Sequence, residues 1–96
     1  MEKMKIAALV VSVLKEVQET SGREWTNLAT DSPPIGTLDG FDSLAGMEAT
    51  ALIEEKLRAL TGLDSLGDES VFAADDRALT LDEVCDKILA ALPGDA

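Results

Sequence analysis

The chain has 96 residues and a formal charge of −11, from 19 acidic and 8 basic residues with no histidine. This length predicts one small domain, residues 1–96, and excludes a multidomain enzyme, because domains usually contain about 100–150 residues. Apolar residues make up 46% of the chain and charged residues 28%, a balance typical of globular rather than disordered proteins. A chain of this size has a thin core, so we expect function at its surface.

The charge and the missing histidine narrow the possible functions. Nucleic-acid phosphates need clustered lysine and arginine, so the acidic balance argues against DNA or RNA and favours a basic protein partner. Without histidine the chain lacks the usual general base and the commonest zinc ligand, so we expect neither an enzyme nor a metal site. The single Cys85 and the lack of a signal segment predict a cytoplasmic protein. No apolar run reaches the roughly 20 residues of a membrane helix, so we expect no membrane insertion.

The first predicted element is an amphipathic helix from about Lys3 to Glu19. Its apolar residues recur at helical spacings and are Ile6, Val10, Val13, Leu14 and Val17. We expect this helix to end at Ser21-Gly22, because glycine adopts the left-handed conformation at helix C termini without a steric clash.

A connection of about 20 residues follows and reaches Asp42, whereas the median connection in compact domains is about four to six residues. Ser32-Pro33-Pro34 prevents a continuous helix through its middle. Apolar residues are spread along it as anchors, so we predict an ordered loop held against the core by Trp25, Leu28, Ile35, Leu38 and Phe41.

A second main helix is predicted from Asp42 or Ser43, near its cap, to about Leu60, with Thr61-Gly62 at its end. One of its faces, assigned to the core, consists of Ala49, Ile53, Leu57 and Leu60. Nearly the opposite face carries Leu44, Met47 and Ala51, among Glu48, Glu55 and Arg58. On periodicity alone, this outward stripe fits a thin bundle with exposed apolar residues as well as a helix that docks a partner.

The remaining third of the chain begins with a polar, acidic stretch in which Val71-Phe72-Ala73 are predicted to form one short helical turn. The last helix starts with a capping box, Thr80-Leu81-Asp82-Glu83, and stops at Pro93-Gly94. No strand-like alternation is visible. The sequence therefore predicts an all-α bundle of three main helices, with a short helix in third position and a long loop between the first two main helices.

The second main helix opens with Gly40-Phe41-Asp42-Ser43-Leu44, after a long loop in a small acidic chain. This arrangement resembles the acyl carrier protein family, in which the serine of an Asp-Ser-Leu motif carries 4′-phosphopantetheine. The resemblance covers nearly the whole chain, up to Arg77-Ala78-Leu79-Thr80 before the last helix. It implies an acyl-carrier-like bundle with Ser43 as the attachment site and Asp42 and Leu44 as flanking cofactor-binding residues.

The resemblance also implies a role and partners. Coenzyme A would supply the arm through a phosphopantetheinyl transferase, and the arm would carry an acyl group as a thioester for fatty-acid, polyketide or other acyl biosynthesis. Loading ligases or transferases and synthases with basic docking surfaces would meet a monomeric carrier at Leu44, Met47, Glu48, Ala51, Glu54 and Glu55. Ala45 and Ala49 depart from common family residues, which indicates a specialised discrete carrier.

Two alternatives stay open: an unmodified acidic helical module that binds a basic protein, and an aminoacyl or D-alanyl carrier. A serine hydrolase is disfavoured, because no histidine and no Gly-x-Ser-x-Gly elbow accompany Ser43. A second Asp-Ser-Leu, at residues 64–66, precedes Gly67 and no amphipathic helix, which predicts a loop.

Three further predictions concern residues outside the motif. The acidic residues after residue 63 do not match a calcium-binding loop and are interpreted as a solvated surface. Cys85 is predicted to be an inert, semi-buried thiol. Trp25 is predicted to anchor the loop to the core, with the lining of a crevice for an acyl chain as a second hypothesis.

Overall fold

The computed structural model describes residues 2–67, 70–74 and 76–92. Its helices are α1 (Lys3–Thr20), α2 (Pro34–Thr37), α3 (Ser43–Thr61) and α4 (Leu81–Ala91), and its two short strands are β1 (Ala73–Ala74) and β2 (Arg77–Ala78). The described part of the chain is therefore mostly helical, and its long helices α1, α3 and α4 agree closely with the three that the sequence predicts. The predicted stop at Pro93-Gly94 lies outside the described residues.

Helix α1 presents its predicted apolar face to the core. Ile6, Val10, Val13 and Leu14 have no exposed surface, and Val17 is almost fully buried. The helix ends as expected, because Ser21 caps it and Gly22 follows in the left-handed conformation with φ +73°. This buried face packs against α3 and α4.

The predicted core face of α3 is buried except at the C-terminal end of the helix. Ala49, Ile53 and Leu57 are fully buried, but Leu60 is 64% exposed, so its assignment to the core is wrong. The chain reverses at the left-handed Gly62, with φ +77°, and Leu63 folds back to take a buried place in the core. A helical wheel records only the angle of a residue around the helix axis, so it does not register that Leu63, after the turn at Gly62, is buried at this end of α3 in place of Leu60.

The long connection between α1 and α3 is an ordered loop, as predicted. Leu38 and Phe41 are buried, whereas Trp25, Leu28 and Ile35 pack against the core while staying half-buried. Its one helical segment, α2, is an irregular turn that begins at a proline and has non-helical dihedral angles at its second and third residues. The Phe41 ring lies edge-on to Phe72, with 5.5 Å between the ring centroids and 76° between the planes.

Gln18, on α1, holds both ends of this loop. Its side chain has no exposed surface, and Nε2 donates hydrogen bonds to the Glu24 carbonyl at 3.0 Å and the Asp39 carbonyl at 2.7 Å. Its Oε1 is buried and has no hydrogen-bond partner within the described part of the chain. One buried amide thus joins two loop segments to the helix.

The predicted helical turn at residues 71–73 is wrong. Instead, a hairpin pairs Ala73 with Ala78 and Ala74 with Arg77 in antiparallel register. The Val71 N–H donates to Thr50 Oγ1 at 3.1 Å, and the Phe72 N–H donates to Ser70 Oγ at 3.0 Å. The Phe72 carbonyl accepts the Leu79 N–H at 2.9 Å, so it joins the two sides of the hairpin instead of continuing a helical turn. The short helix of this fold lies earlier, in the α1–α3 loop.

We predict that Gln18→Leu lowers the free energy of unfolding by about 1–3 kcal/mol, because two hydrogen bonds between α1 and the loop are lost. Urea unfolding followed by far-UV circular dichroism measures the change. The matched control is Asn27→Leu, at an exposed amide of the same loop, for which we expect a change of less than about 0.5 kcal/mol. Equal stability of Gln18→Leu and the wild type would contradict the anchoring role.

Candidate functional site

The N terminus of α3 is built around Asp42 and Ser43. Asp42 has an extended backbone, and its Oδ1 accepts a hydrogen bond from the Ala45 N–H at 3.0 Å, which confirms the predicted cap. Ser43 is the first residue of the helix, and its side chain is exposed. At this position the hydroxyl lies next to the positive end of the helix dipole, which favours an attached anion.

The backbone just before Ser43 is held in place by its own conformation and by buried neighbours. Gly40 has φ +62°, and a Cβ at this residue would lie 2.7 Å from Cδ of Arg23. The backbone conformation therefore favours glycine here, and a larger residue would also have to displace the Arg23 side chain. With Leu38 and Phe41 buried on either side, the chain is fixed up to the residue that caps α3.

The outward stripe of α3 exists as predicted. Leu44 is 71% exposed and Met47 is 48% exposed, and Ala51 is also exposed on the same helix. The carboxylates of Glu48 and Glu55 are exposed beside them. An apolar stripe with carboxylates beside it is complementary to a partner surface that is apolar in its middle and basic at its edge.

Glu54 differs from the other two glutamates of α3. It accepts hydrogen bonds from the Leu66 N–H at 2.8 Å, Ser65 Oγ at 3.3 Å and Arg58 Nη2 at 3.0 Å. Chiefly through the Leu66 amide, these contacts hold the pKa of its carboxyl below the ordinary value. Its role as a partner-binding residue stays a prediction, but this side chain already anchors the loop after α3.

The second Asp-Ser-Leu therefore has a structural role of its own. Residues 62–67 form a loop without regular structure, as expected, and Ser65 Oγ also accepts a hydrogen bond from the Gly67 N–H at 3.0 Å. Sequence reasoning missed the contact between this loop and Glu54, because the partners are 12 residues apart and no local pattern links them.

A groove of about 330 Å³ opens next to Ser43. Its lining consists of Ile35, Ser43, Ala73, Asp76, Arg77 and Ala78. The loop, the start of α3 and the β1–β2 hairpin therefore meet at the serine. The sequence predicted Ser43 but missed the groove, since its far wall depends on a hairpin where a helical turn was expected.

Arg77, in the wall of the groove, is held by the cap of α4. The capping box is present as predicted. The Glu83 N–H donates to Thr80 Oγ1, with 3.1 Å between nitrogen and oxygen, and the Thr80 N–H donates to Glu83 Oε1, with 3.0 Å between them. Two guanidinium nitrogens of Arg77 donate to the two Glu83 carboxylate oxygens at 3.0 and 3.1 Å. Mainly because of this bidentate pair, the pKa of Glu83 falls from 4.5 to about 2.

Cys85 and Trp25 lie away from the groove lining. Cys85 is buried, and burial raises the pKa of its thiol, which agrees with the predicted inert cysteine. Trp25 packs half-buried against the core, with Lys15 Nζ 5.5 Å from its ring centroid, in agreement with the predicted anchor. A role for Trp25 in lining an acyl crevice stays a hypothesis.

The described residues contain neither a grouped set of metal ligands nor a helix able to cross a membrane. Over residues 2–67, 70–74 and 76–92, no three acidic or cysteine side chains are grouped so as to hold a metal ion. Several acidic residues of the predicted solvated surface, at positions 68, 69 and 75, lie outside these ranges. None of the described helices has the length and apolar content needed to cross a membrane.

The chain was compared with protein-family models, with curated proteins and with solved structures, and none of them matches it.

We predict that Glu83→Gln lowers the melting temperature by a few degrees at neutral pH and has little effect near pH 2. The folded-state pKa of Glu83 lies below its ordinary value, so the ion pair stabilises the fold above about pH 4.5, and this contribution is lost as the pH falls toward about 2. Thermal unfolding between pH 2 and 7 tests this. Glu16→Gln, at an exposed glutamate of α1, is the control, and a pH-independent difference for Glu83→Gln would contradict the prediction.

Proposed function

We propose that this protein is an acyl carrier protein, modified with 4′-phosphopantetheine on Ser43. The observation that carries the proposal is the exposed hydroxyl of Ser43 at the first position of a capped 19-residue helix, beside a groove and an outward apolar stripe. An exposed serine at a helix N terminus is accessible to a modifying enzyme, and the helix dipole favours the phosphodiester that the modification adds.

The order of elements supports the same proposal. The elements follow the order that the resemblance to acyl carrier proteins implies. They are a long first helix, an anchored loop, a capped Asp-Ser-Leu helix and a final helix with a capping box. The β1–β2 hairpin is the departure, since it occupies the place where a short helix was expected. The hairpin also forms part of the groove at Ser43, so the departure affects the surroundings of the modified residue.

The modification would join Ser43 Oγ to the phosphorus of coenzyme A that bears the pantetheine. The new O–P bond replaces the diphosphate O–P bond, adenosine 3′,5′-bisphosphate leaves, and a base of the transferase takes the hydroxyl proton. The chain itself has no histidine to supply such a base. We therefore propose a carrier and not an enzyme, with Asp42 holding the helix start while the transferase acts on Ser43.

Partner enzymes would dock on the exposed stripe of α3. Leu44 and Met47 supply apolar area close to Ser43, and Glu48 and Glu55 supply charge complementary to a basic rim. An acyl group on the arm would be presented next to this surface. Loading ligases or transferases and synthases are the expected partners, and an aminoacyl or D-alanyl group is a second class of cargo.

We predict that incubation with coenzyme A, Mg²⁺ and a phosphopantetheinyl transferase adds the mass of one phosphopantetheinyl group to the wild-type protein. Ser43→Ala should abolish the gain, because it removes the attacking oxygen. Ser65→Ala, at the serine of the second Asp-Ser-Leu, is the matched control and should leave the gain intact. Intact-protein mass spectrometry measures all three, and modification of Ser65, or of neither serine with several transferases, would refute the proposal.

The exposed stripe with its carboxylates also favours a second candidate, an unmodified acidic helical module that binds a basic protein. Such a module would show no mass gain in the transferase experiment, and it would bind its partner equally well after Ser43→Ala. Its binding would weaken with added salt, because the carboxylates would act over distances that salt screens.

We predict that Glu48→Lys lowers kcat/KM of the transferase for this protein by about fivefold or more, because it reverses a charge next to the docking stripe. Glu16→Lys makes the same change on α1, and its effect should stay below about twofold. Initial rates at fixed transferase and coenzyme A concentrations provide the comparison. Equal losses for the two variants would mean that only the total charge matters.

A further inference from the structure

The outward stripe of α3 carries a positive charge as well as its carboxylates. Arg58 follows Ala51 by seven residues, which is close to two turns of an α-helix, so both residues lie on the same side of α3. The side chain of Arg58 is 53% exposed. The stripe therefore continues past its carboxylates to an arginine in the last turn of the helix.

Arg58 is held in position by groups from two segments. Its Nη2 donates to Glu54 Oε1 at 3.0 Å and to the carbonyl of Asp64, in the loop after α3, at 2.8 Å. Glu54 is fixed in turn by the Leu66 N–H at 2.8 Å. Because the guanidinium group is already ordered by these contacts, it loses less conformational freedom when a partner binds to it.

Both contacts of Arg58 use the same nitrogen. A guanidinium group has five N–H donors in one plane, distributed over Nε, Nη1 and Nη2. In the described part of the chain, Nε and Nη1 of Arg58 have no hydrogen-bond acceptor. The exposed side chain can therefore donate to a carboxylate of a partner without releasing Glu54 or Asp64.

The two signs of charge occupy different places along the stripe. From Leu44 to Arg58 the stripe is about 21 Å long, at 1.5 Å per residue. The exposed carboxylates of Glu48 and Glu55 lie beside its middle, and the arginine lies at the end far from Ser43. A partner surface with basic groups along its whole length would be repelled at Arg58.

We propose that the partner enzymes of this protein have a docking surface of mixed charge, with basic groups opposite Glu48 and Glu55 and a carboxylate opposite Arg58. This inference rests on the proposed function and deepens it, because it specifies the chemistry of the surface that meets the stripe. The pair with Arg58 favours partners that have an acid at this place and disfavours partners that are basic throughout, so the arginine sets partner specificity.

The test measures kcat/KM of the phosphopantetheinyl transferase of the same cell with Arg58→Glu as substrate. We expect a loss of about fivefold or more, because repulsion replaces attraction at this contact. Arg58→Gln should lose less, since it removes the attraction without adding repulsion. The matched control is Lys56→Glu, which makes the same charge change at an exposed residue about 160° around the axis of the same helix. Its effect should stay below about twofold.

Salt separates an effect on docking from an effect on the loop after α3. Exposed ion pairs contribute little to stability, so we expect the variants to fold, which far-UV circular dichroism checks. The ratio of the wild-type kcat/KM to that of Arg58→Glu should shrink toward one at about 0.5 M NaCl, because salt screens the repulsion. A ratio that does not change with salt would assign the loss to a displaced loop and overturn the inference.

The remaining outcomes also decide the proposal. An unchanged or higher kcat/KM for Arg58→Glu would overturn it, because a partner that is basic throughout gains from an added carboxylate. Equal losses for Arg58→Glu and Lys56→Glu would overturn it as well, since only total charge would then matter. Either result leaves the proposed function standing as long as Ser43 is modified. Absence of any mass gain in the wild type would overturn the proposed function and this inference together.

Discussion

The rest of the structure around Ser43 depends on how the long loop between α1 and α3 is held. Ordering the backbone of each residue costs about 1–2 kcal/mol of conformational entropy, so a loop of this length needs strong anchors. The buried amide of Gln18 provides one by donating to carbonyls near both ends of the loop, at Glu24 and Asp39. The second of these carbonyls lies four residues before Ser43, so this contact fixes the approach to the serine.

The same loop connects the core to the groove. Phe41, the last buried residue before the cap, packs edge-on against Phe72, and Phe72 leads directly into the β1–β2 hairpin. Its carbonyl accepts the Leu79 N–H at 2.9 Å and so joins both sides of the hairpin. The Phe41–Phe72 contact and the hydrogen bond from Val71 N–H to Thr50 of α3 therefore hold the start of α3 close to the hairpin, and a groove with walls from both lies at the serine.

The acidic residues of this chain have different roles. Glu54 and Glu83 are used within the protein, where they hold a loop and an arginine, and their pKa values are lowered accordingly. Glu48 and Glu55 are exposed beside the apolar stripe. The net charge of −11 is therefore a poor guide to the role of any one carboxylate.

Local patterns in the sequence determined the three long helices, the cap at Asp42, the capping box at Thr80 and the outward stripe of α3. Each of these depends on residues three or four positions apart, which the spacing along the chain records. Only the tertiary structure decided the exposure of Leu60, the use of Glu54, the pairing of β1 with β2 and the groove at Ser43. These depend on partners far apart in sequence, as when Thr50 accepts a hydrogen bond from the Val71 amide 21 residues away.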